Sequence, residues 1–278
     1  MDSLQILDLL FLGEEQEIGA YLFETGDGPT LFDCGPAATL GNLRAALRDH
    51  GLEIGDLRHL LLSHIHLDHA GAAGALVREN PELSVWVSPI GAPHLVDPTR
   101  LEASARRLFG AAFDQLWGAL TPVPEPNIRI AEGDVLGWKA FPTPGHASHH
   151  VSYFRDGTIL AGDACGVRIP PSDHVQPVSP PPDIDIEAWH HSIDEIERRA
   201  PERLALIHFD VVTDVTEHLA RIRTELDLWA GRVRDGMSED EFVSAAAADA
   251  GDDAERYSAV FTFAMSYQGL KRYWDKRR

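Results

Sequence analysis

Three histidines and one aspartate fall within six positions in the stretch Ser63-His64-Ile65-His66-Leu67-Asp68-His69-Ala70-Gly71, directly after the apolar run Leu60-Leu61-Leu62. Neutral imidazole and carboxylate are the usual ligands of zinc and related metals. Four such groups on one short loop can reach a common centre, because a loop does not commit its side chains to one face. Further candidates recur after apolar runs: His146 in Pro144-Gly145-His146, Asp163 in Gly162-Asp163, and His208 after Leu204 to Ile207. Each is a metal-binding type at a predicted strand end followed by irregular chain, where a layered α/β fold gathers functional groups. Gly145 and Gly162 permit tight backbone turns beside them.

The elements that must position these groups read as follows. Gln5 to Leu12, Ile18 to Thr25 and Thr30 to Asp33 are predicted strands of an antiparallel meander, with a turn at Gly26-Asp27-Gly28-Pro29. Leu40, Leu43, Ala46 and Leu47 recur at helical spacing up to Gly51. Arg58 to Leu62 is a short buried strand that delivers the histidine loop, Gly71 to Glu79 a helix, and Ser84 to Ser88 a strand. Residues 91 to 126 break the alternation with helical pattern through Leu101 to Leu120 and the prolines 122, 124 and 126. Strands resume at Ile128 to Ala131, Val135 to Phe141, Val151 to Phe154 and Thr158 to Ala161. A Pro-rich loop, 166 to 183, makes a stiff, extended path. Ile186 to Arg199 is a predicted helix, Leu204 to Ile207 a buried strand, and the chain from Asp214 onward is expected to be helical.

The order His-x-His-x-Asp-His, then Gly-His, then Gly-Asp, then a late strand-end His resembles the metallo-β-lactamase superfamily. So does the early Leu31-Phe32-Asp33-Cys34-Gly35. The resemblance covers about residues 5 to 210. It is to the hydrolase branch with a full two-metal site, which includes glyoxalase II-like thioesterases. The phrase from Pro144 to His150, the insertion around Leu101 to Gly118 and the loop Gly166 to Pro182 look like an uncharacterised bacterial group of that branch. The resemblance implies an α/β fold, a four-layer αββα sandwich of two mixed sheets with helices on both outer faces. It places a catalytic domain at 1–212, with the helical insertion at about 91–126, and a helical C-terminal extension at 213–278. It also implies that His64, His66 and His146 bind one metal, that Asp68, His69 and His208 bind a second, and that Asp163 bridges both. Asp33 would orient ligands through hydrogen bonds.

Seven ligands are too many for one tetrahedral ion and suit two. Two bridged divalent transition-metal ions can share a water and lower its pKa from about 15.7 towards about 7. The expected function is therefore a metal-dependent hydrolase whose bridging hydroxide attacks an ester, thioester or lactone carbonyl, with Asp68 and Asp163 as catalytic residues. Zinc is the first choice of metal, and this ligand set also accepts iron and manganese. A phosphodiesterase or nuclease on the same site, and a non-haem iron oxidoreductase, are the alternatives. A non-catalytic binding protein conflicts with the intact ligand set. His149 and His150 adjoin the His146 motif and are read as support or packing. His94, His190 and His191 lack ligand spacing, and His50 and His59 read as surface or helix-end residues. His174 is a candidate to line the mouth of the site, Tyr267 to reach it from the C-terminal helices, and Arg168 to bind a substrate carboxylate through its planar fork, with a structural ion pair the competing role for Arg168. Phe113 and Trp117 fit the apolar face of an inserted helix.

The net charge of −20, from 24 basic and 44 acidic side chains, argues against a nucleic-acid partner, which needs clustered Lys and Arg. The basic cluster Lys271 to Arg278 reads as a solvated helix end. Two cysteines, Cys34 and Cys165, do not make a disulfide framework, and buried free thiols are the expectation. The N-terminus lacks a basic signal-type region, and no apolar run approaches the ~18 residues of a membrane span. A cytoplasmic enzyme acting on a small molecule is expected, and homodimerisation through the helices is left open.

Overall fold

Tight turns at glycine set the first strands in register. The computed structural model describes residues 4–277. These fall into two compact units, one running to Phe141 and one starting at Pro142. The strands make two sheets.

The first unit begins with β1 (Gln5–Asp8), β2 (Gly19–Thr25) and β3 (Gly28–Phe32), paired antiparallel as a meander. Helix α1 (Leu40–Asp49) buries Leu43 and Leu47 and leads to β4 (His59–Leu61). A one-turn helix α2 (Leu67–Ala70) and α3 (Ala73–Glu79) precede β5 (Ser84–Val87). Helices α4 (Ala92–Val96), α5 (Thr99–Phe109) and α6 (Phe113–Trp117) form the insertion before β6 (Ile128–Ile130). The sheet order is β1-β2-β3-β4-β5-β6, and β3 to β6 run parallel. A hairpin of β7 (Gly133–Val135) and β8 (Trp138–Pro142) closes the unit.

The second unit carries β9 (Val151–Arg155), β10 (Thr158–Leu160), α7 (Ile186–Glu197), β11 (Arg203–Leu206) and β12 (Asp210–Val212). These strands lie in the order β12-β11-β10-β9, and only β10 and β11 are parallel neighbours among them. After Val212 every regular element of the described chain is helical: α8 (Val215–Arg234), α9 (Glu239–Ala250), α10 (Ala254–Val260) and α11 (Phe263–Asp275). Compactness groups these helices with β9 to β12. In α8 the buried Leu219, Ile222, Leu226, Trp229 and Val233 recur at steps of three and four, the stripe of a core-facing helix. Ser238 and Glu241 cap α9 reciprocally, so its start is written in the sequence.

Several expected elements differ. The strand expected through Leu12 stops at Asp8, because Leu10 and Leu12 take positive φ (46° and 55°) around a 3-10 turn. The single strand expected at 135 to 141 is a hairpin, with Leu136 and Gly137 both left-handed (φ 55° and 83°). The helix expected to run on through Leu120 breaks at Gly110 (φ 54°). Strand β12 carries no pattern that had marked it.

Candidate metal centre

In the first unit the parallel register Phe32↔Leu61 brings the ends of β3 and β4 together. Asp33 donates its backbone N–H to Leu61 (2.8 Å) and turns out of the strand at φ 55°. Its carboxylate then takes three hydrogen bonds: from the Ser63 N–H (2.7 Å), the Ser63 hydroxyl (2.7 Å) and Nδ1 of His69 (2.8 Å). Burial pushes the Asp33 carboxyl up, and the nearby His69 and the Ser63 bonds oppose that shift. Because the Ser63 hydroxyl is spent on Asp33, it accepts from Nδ1 of His64 (2.9 Å). His64 and His69 therefore both carry their proton on the outward nitrogen and keep the Nε2 lone pair for the interior. The ring of His64 lies 4.5 Å from that of His66 and 4.1 Å from that of His69. Nε2 of His69 is 3.6 Å from Oδ2 of Asp68. Asp68 and His69 do not lie on an irregular loop as expected; they lie in helix α2, with His66 at its N-cap.

In the second unit the parallel pair β10 and β11 sends Asp163 and His208 out at the same end. His146 comes from the loop between β8 and β9. Nδ1 of His146 donates to the Val178 carbonyl (2.6 Å), which again leaves Nε2 inward. The two oxygens of Asp163 face different imidazoles: Oδ2 is 3.4 Å from Nε2 of His146, and Oδ1 is 3.6 Å from Nε2 of His208. All three side chains are buried.

These donor sets fit divalent transition metals. Two ligand atoms ~2.1 Å from one tetrahedral ion stand about 3.4 Å apart, longer than a good hydrogen bond. The Nε2-to-carboxylate separations of 3.4 to 3.6 Å have that spacing. His64, His69 and His146 have Nδ1 tied to an oxygen, the arrangement that fixes the tautomer of a metal-ligating imidazole.

The remaining candidates go elsewhere. Arg168 pairs with Asp173 and Asp214, each at 2.7 Å, so its fork is committed to a structural ion pair. The ring of His174 packs edge-on against Tyr257 (4.8 Å), and Tyr267 packs on Phe242 (5.6 Å). Phe113 is fully buried, and Trp117 stacks on Phe11 (5.7 Å). His59 is not a surface residue: it accepts from Nε1 of Trp86 (3.3 Å) within the first sheet. From α7, Nε2 of His190 lies 2.8 Å from Oδ1 of Asp227 in α8, and His191 lies beside Glu195 at 3.8 Å. Cys34 and Cys165 are buried free thiols. Cys34 donates to the His69 carbonyl (3.3 Å), and burial with the Asp33 charge pushes its thiol well up. Burial alone pushes Cys165 up to about 12. Ser63 and the Val178 carbonyl were not picked out by sequence; neither belongs to a ligand type, and only the fold shows their partners.

Two sheets with helices, and His and Asp clusters at strand ends, define a class of α/β metal-binding proteins. The chain belongs to the metallo-beta-lactamase superfamily, whose family model matches residues 18–208. It is 28% identical over 173 residues to an N-acyl homoserine lactonase of Bacillus thuringiensis, a match spanning 51% of this chain and 61% of that one. The chain thus spans less than two thirds of that relative, and 63% of another, YobT of Bacillus subtilis. An archaeal metallo-beta-lactamase superfamily protein from Sulfolobus tokodaii has the same fold, with TM-score 0.68 and 19% identity over 98% of this chain and 99% of that one. TTHA1623 in a di-iron-bound form aligns with TM-score 0.53 and 27% identity, over 73% and 91% of the two chains. The described chain has no helix long and apolar enough to cross a membrane.

Proposed function

We propose that this protein is a two-metal hydrolase of small-molecule esters, thioesters or lactones, with its catalytic residues in 1–212 and a helical extension after them. The observation that carries this reading is Asp163, whose two carboxylate oxygens each face a different imidazole nitrogen, as a bridging ligand requires. On this reading His64, His66 and His146 hold one ion, Asp68, His69 and His208 the other, and Asp163 both. The family match runs through all seven residues, and the lactonase relative supports carbonyl-ester chemistry.

When bound, such ions supply an acidified water as nucleophile and polarise the carbonyl oxygen. The chain supplies the rest. Asp33 holds the His69 ring with its inward nitrogen deprotonated, and Ser63 does the same for His64. Val178 fixes His146. Asp68 keeps 15% of its side chain exposed, and it is the carboxylate that takes up a proton and returns it to the leaving oxygen or sulfur. Zinc fits the donor set, and the di-iron relative extends the choice to iron. The strongly acidic surface favours a small molecule over nucleic acid.

Elemental analysis of the loaded protein should give close to two transition-metal ions per chain. A screen of ester, thioester, lactone and phosphodiester substrates should show carbonyl hydrolysis. Asp68→Ala should lose one ion and cut that rate by ~100-fold or more. Metal-free protein with intact activity, or wild-type rates in Asp68→Ala, would sink the reading.

A further inference from the structure

Asp163 sits in the 3-10 turn Gly162–Cys165, and side chains from three separate places grip that turn by its peptide groups. The Asp163 N–H donates to Nε2 of His150 (3.1 Å). Nε1 of Trp189, in α7, donates to the Ala164 carbonyl (2.8 Å). Nε2 of His218, in α8, donates to the Cys165 carbonyl (2.8 Å). Three consecutive residues thus each give one backbone group to a buried ring.

The polarity of this network is self-consistent. His150 accepts at Nε2, so its proton lies on Nδ1 and is donated to Thr143 Oγ1 (2.8 Å). Thr143 then donates to Ser152 Oγ (2.9 Å), and Ser152 to the Ala161 carbonyl (3.4 Å), one residue before the turn. His218 takes the other tautomer, and burial pushes its pKa down to about 4, which keeps it neutral. Trp189 also packs beside His146. Its ring stands edge-on 5.8 Å from that imidazole, and a Cβ on Gly145 would come within 2.3 Å of the Trp189 Cα. One indole therefore touches the loop of one ligand and the turn of another. Apolar side chains could pack here but would leave these peptide groups unpaired; the three rings pair them and fix the direction in which the turn faces.

We infer that Trp189, His150 and His218 form a cradle that aims the Asp163 carboxylate, and so act as positioning residues of the metal centre. His218 lies beyond the matched residues 18–208, so the C-terminal helices contribute to the centre through it. The inference rests on the two-metal reading above.

The test is the affinity of the full-length protein for zinc, by competition with a chromogenic chelator, together with the melting temperature of the metal-free protein. Trp189→Phe removes one N–H and keeps a ring; His218→Leu removes the other donor; His218→Gln restores an N–H. Trp189→Phe and His218→Leu should release the more weakly held ion about 10- to 100-fold more readily, and His218→Gln should recover most of that affinity. Lowered melting with unchanged zinc affinity in Trp189→Phe and His218→Leu would reduce the cradle to packing and overturn the inference. If His218→Leu does not fold, Trp189→Phe still decides it, since it removes the bond to the Ala164 carbonyl and keeps a ring. Wild-type protein that binds no zinc, iron or manganese would instead overturn the two-metal reading and the cradle with it.

Discussion

An imidazole offers a metal one nitrogen, and the bond made by the other decides which. In this chain the deciding partners are Asp33, Ser63 and the Val178 carbonyl. The ligand types were legible because His64 to His69 and Gly145-His146 are local patterns. Their partners were not, because a hydroxyl or a carbonyl becomes specific only when a distant segment packs on it. His218 shows this most clearly: on the sequence it is one histidine in a helix, and in the fold it is fully buried. Its titration has a defined sign. Its folded pKa of about 4 lies below the ordinary 6.5, so above pH 6.5 both states are neutral and it contributes nothing. As the pH falls from 6.5 to about 4, the unfolded chain binds a proton that the folded chain refuses, and stability drops. The full loss is on the order of 3 kcal/mol. Denaturant midpoints of the metal-free protein between pH 7 and pH 4.5 should therefore fall more steeply in wild type than in His218→Gln. Parallel curves would refute the assignment.

Among the elements, α11 has a role that its sequence conceals. Gly269 lies so close to the Pro-rich loop that an added Cβ would come within 1.9 Å of the Ser179 carbonyl oxygen. The preceding residue, Val178, supplies the carbonyl that orients His146. Gly269→Ala must push helix and loop apart. It should destabilise the protein by about 1–3 kcal/mol and lower its metal content, read by denaturant titration and elemental analysis. An Ala variant with native stability and full metal loading would show that the contact is slack. The same kind of information explains the misread elements. Apolar alternation gave strand and helix types correctly at β2, β5, α7 and α8. It was blind to the left-handed residues Leu10, Leu12, Leu136 and Gly110, where the backbone, not the pattern, ends or splits an element.

For the molecule as a whole, the family and its fold were legible from five short motifs, and the family model and structural relatives agree. What the motifs carried no trace of is the grouping of the C-terminal helices with β9 to β12. That grouping is built by buried side chains such as Trp229 and Tyr273, which any amphipathic helix offers. The two thiols give each unit its own clock. Cys34 follows Asp33 in the first unit, and Cys165 closes the Asp163 turn in the second. Both are sealed from solvent and held protonated, so neither reacts with an alkylating reagent until its own surroundings open. Pulse labelling resolved by peptide mass should find both silent in metal-loaded protein and both faster after chelation. A thiol that labels at the rate of free cysteine in the loaded protein would contradict this packing. Equal acceleration would mark one cooperative opening, and unequal acceleration would rank the two units by how strongly each depends on the metal to stay shut.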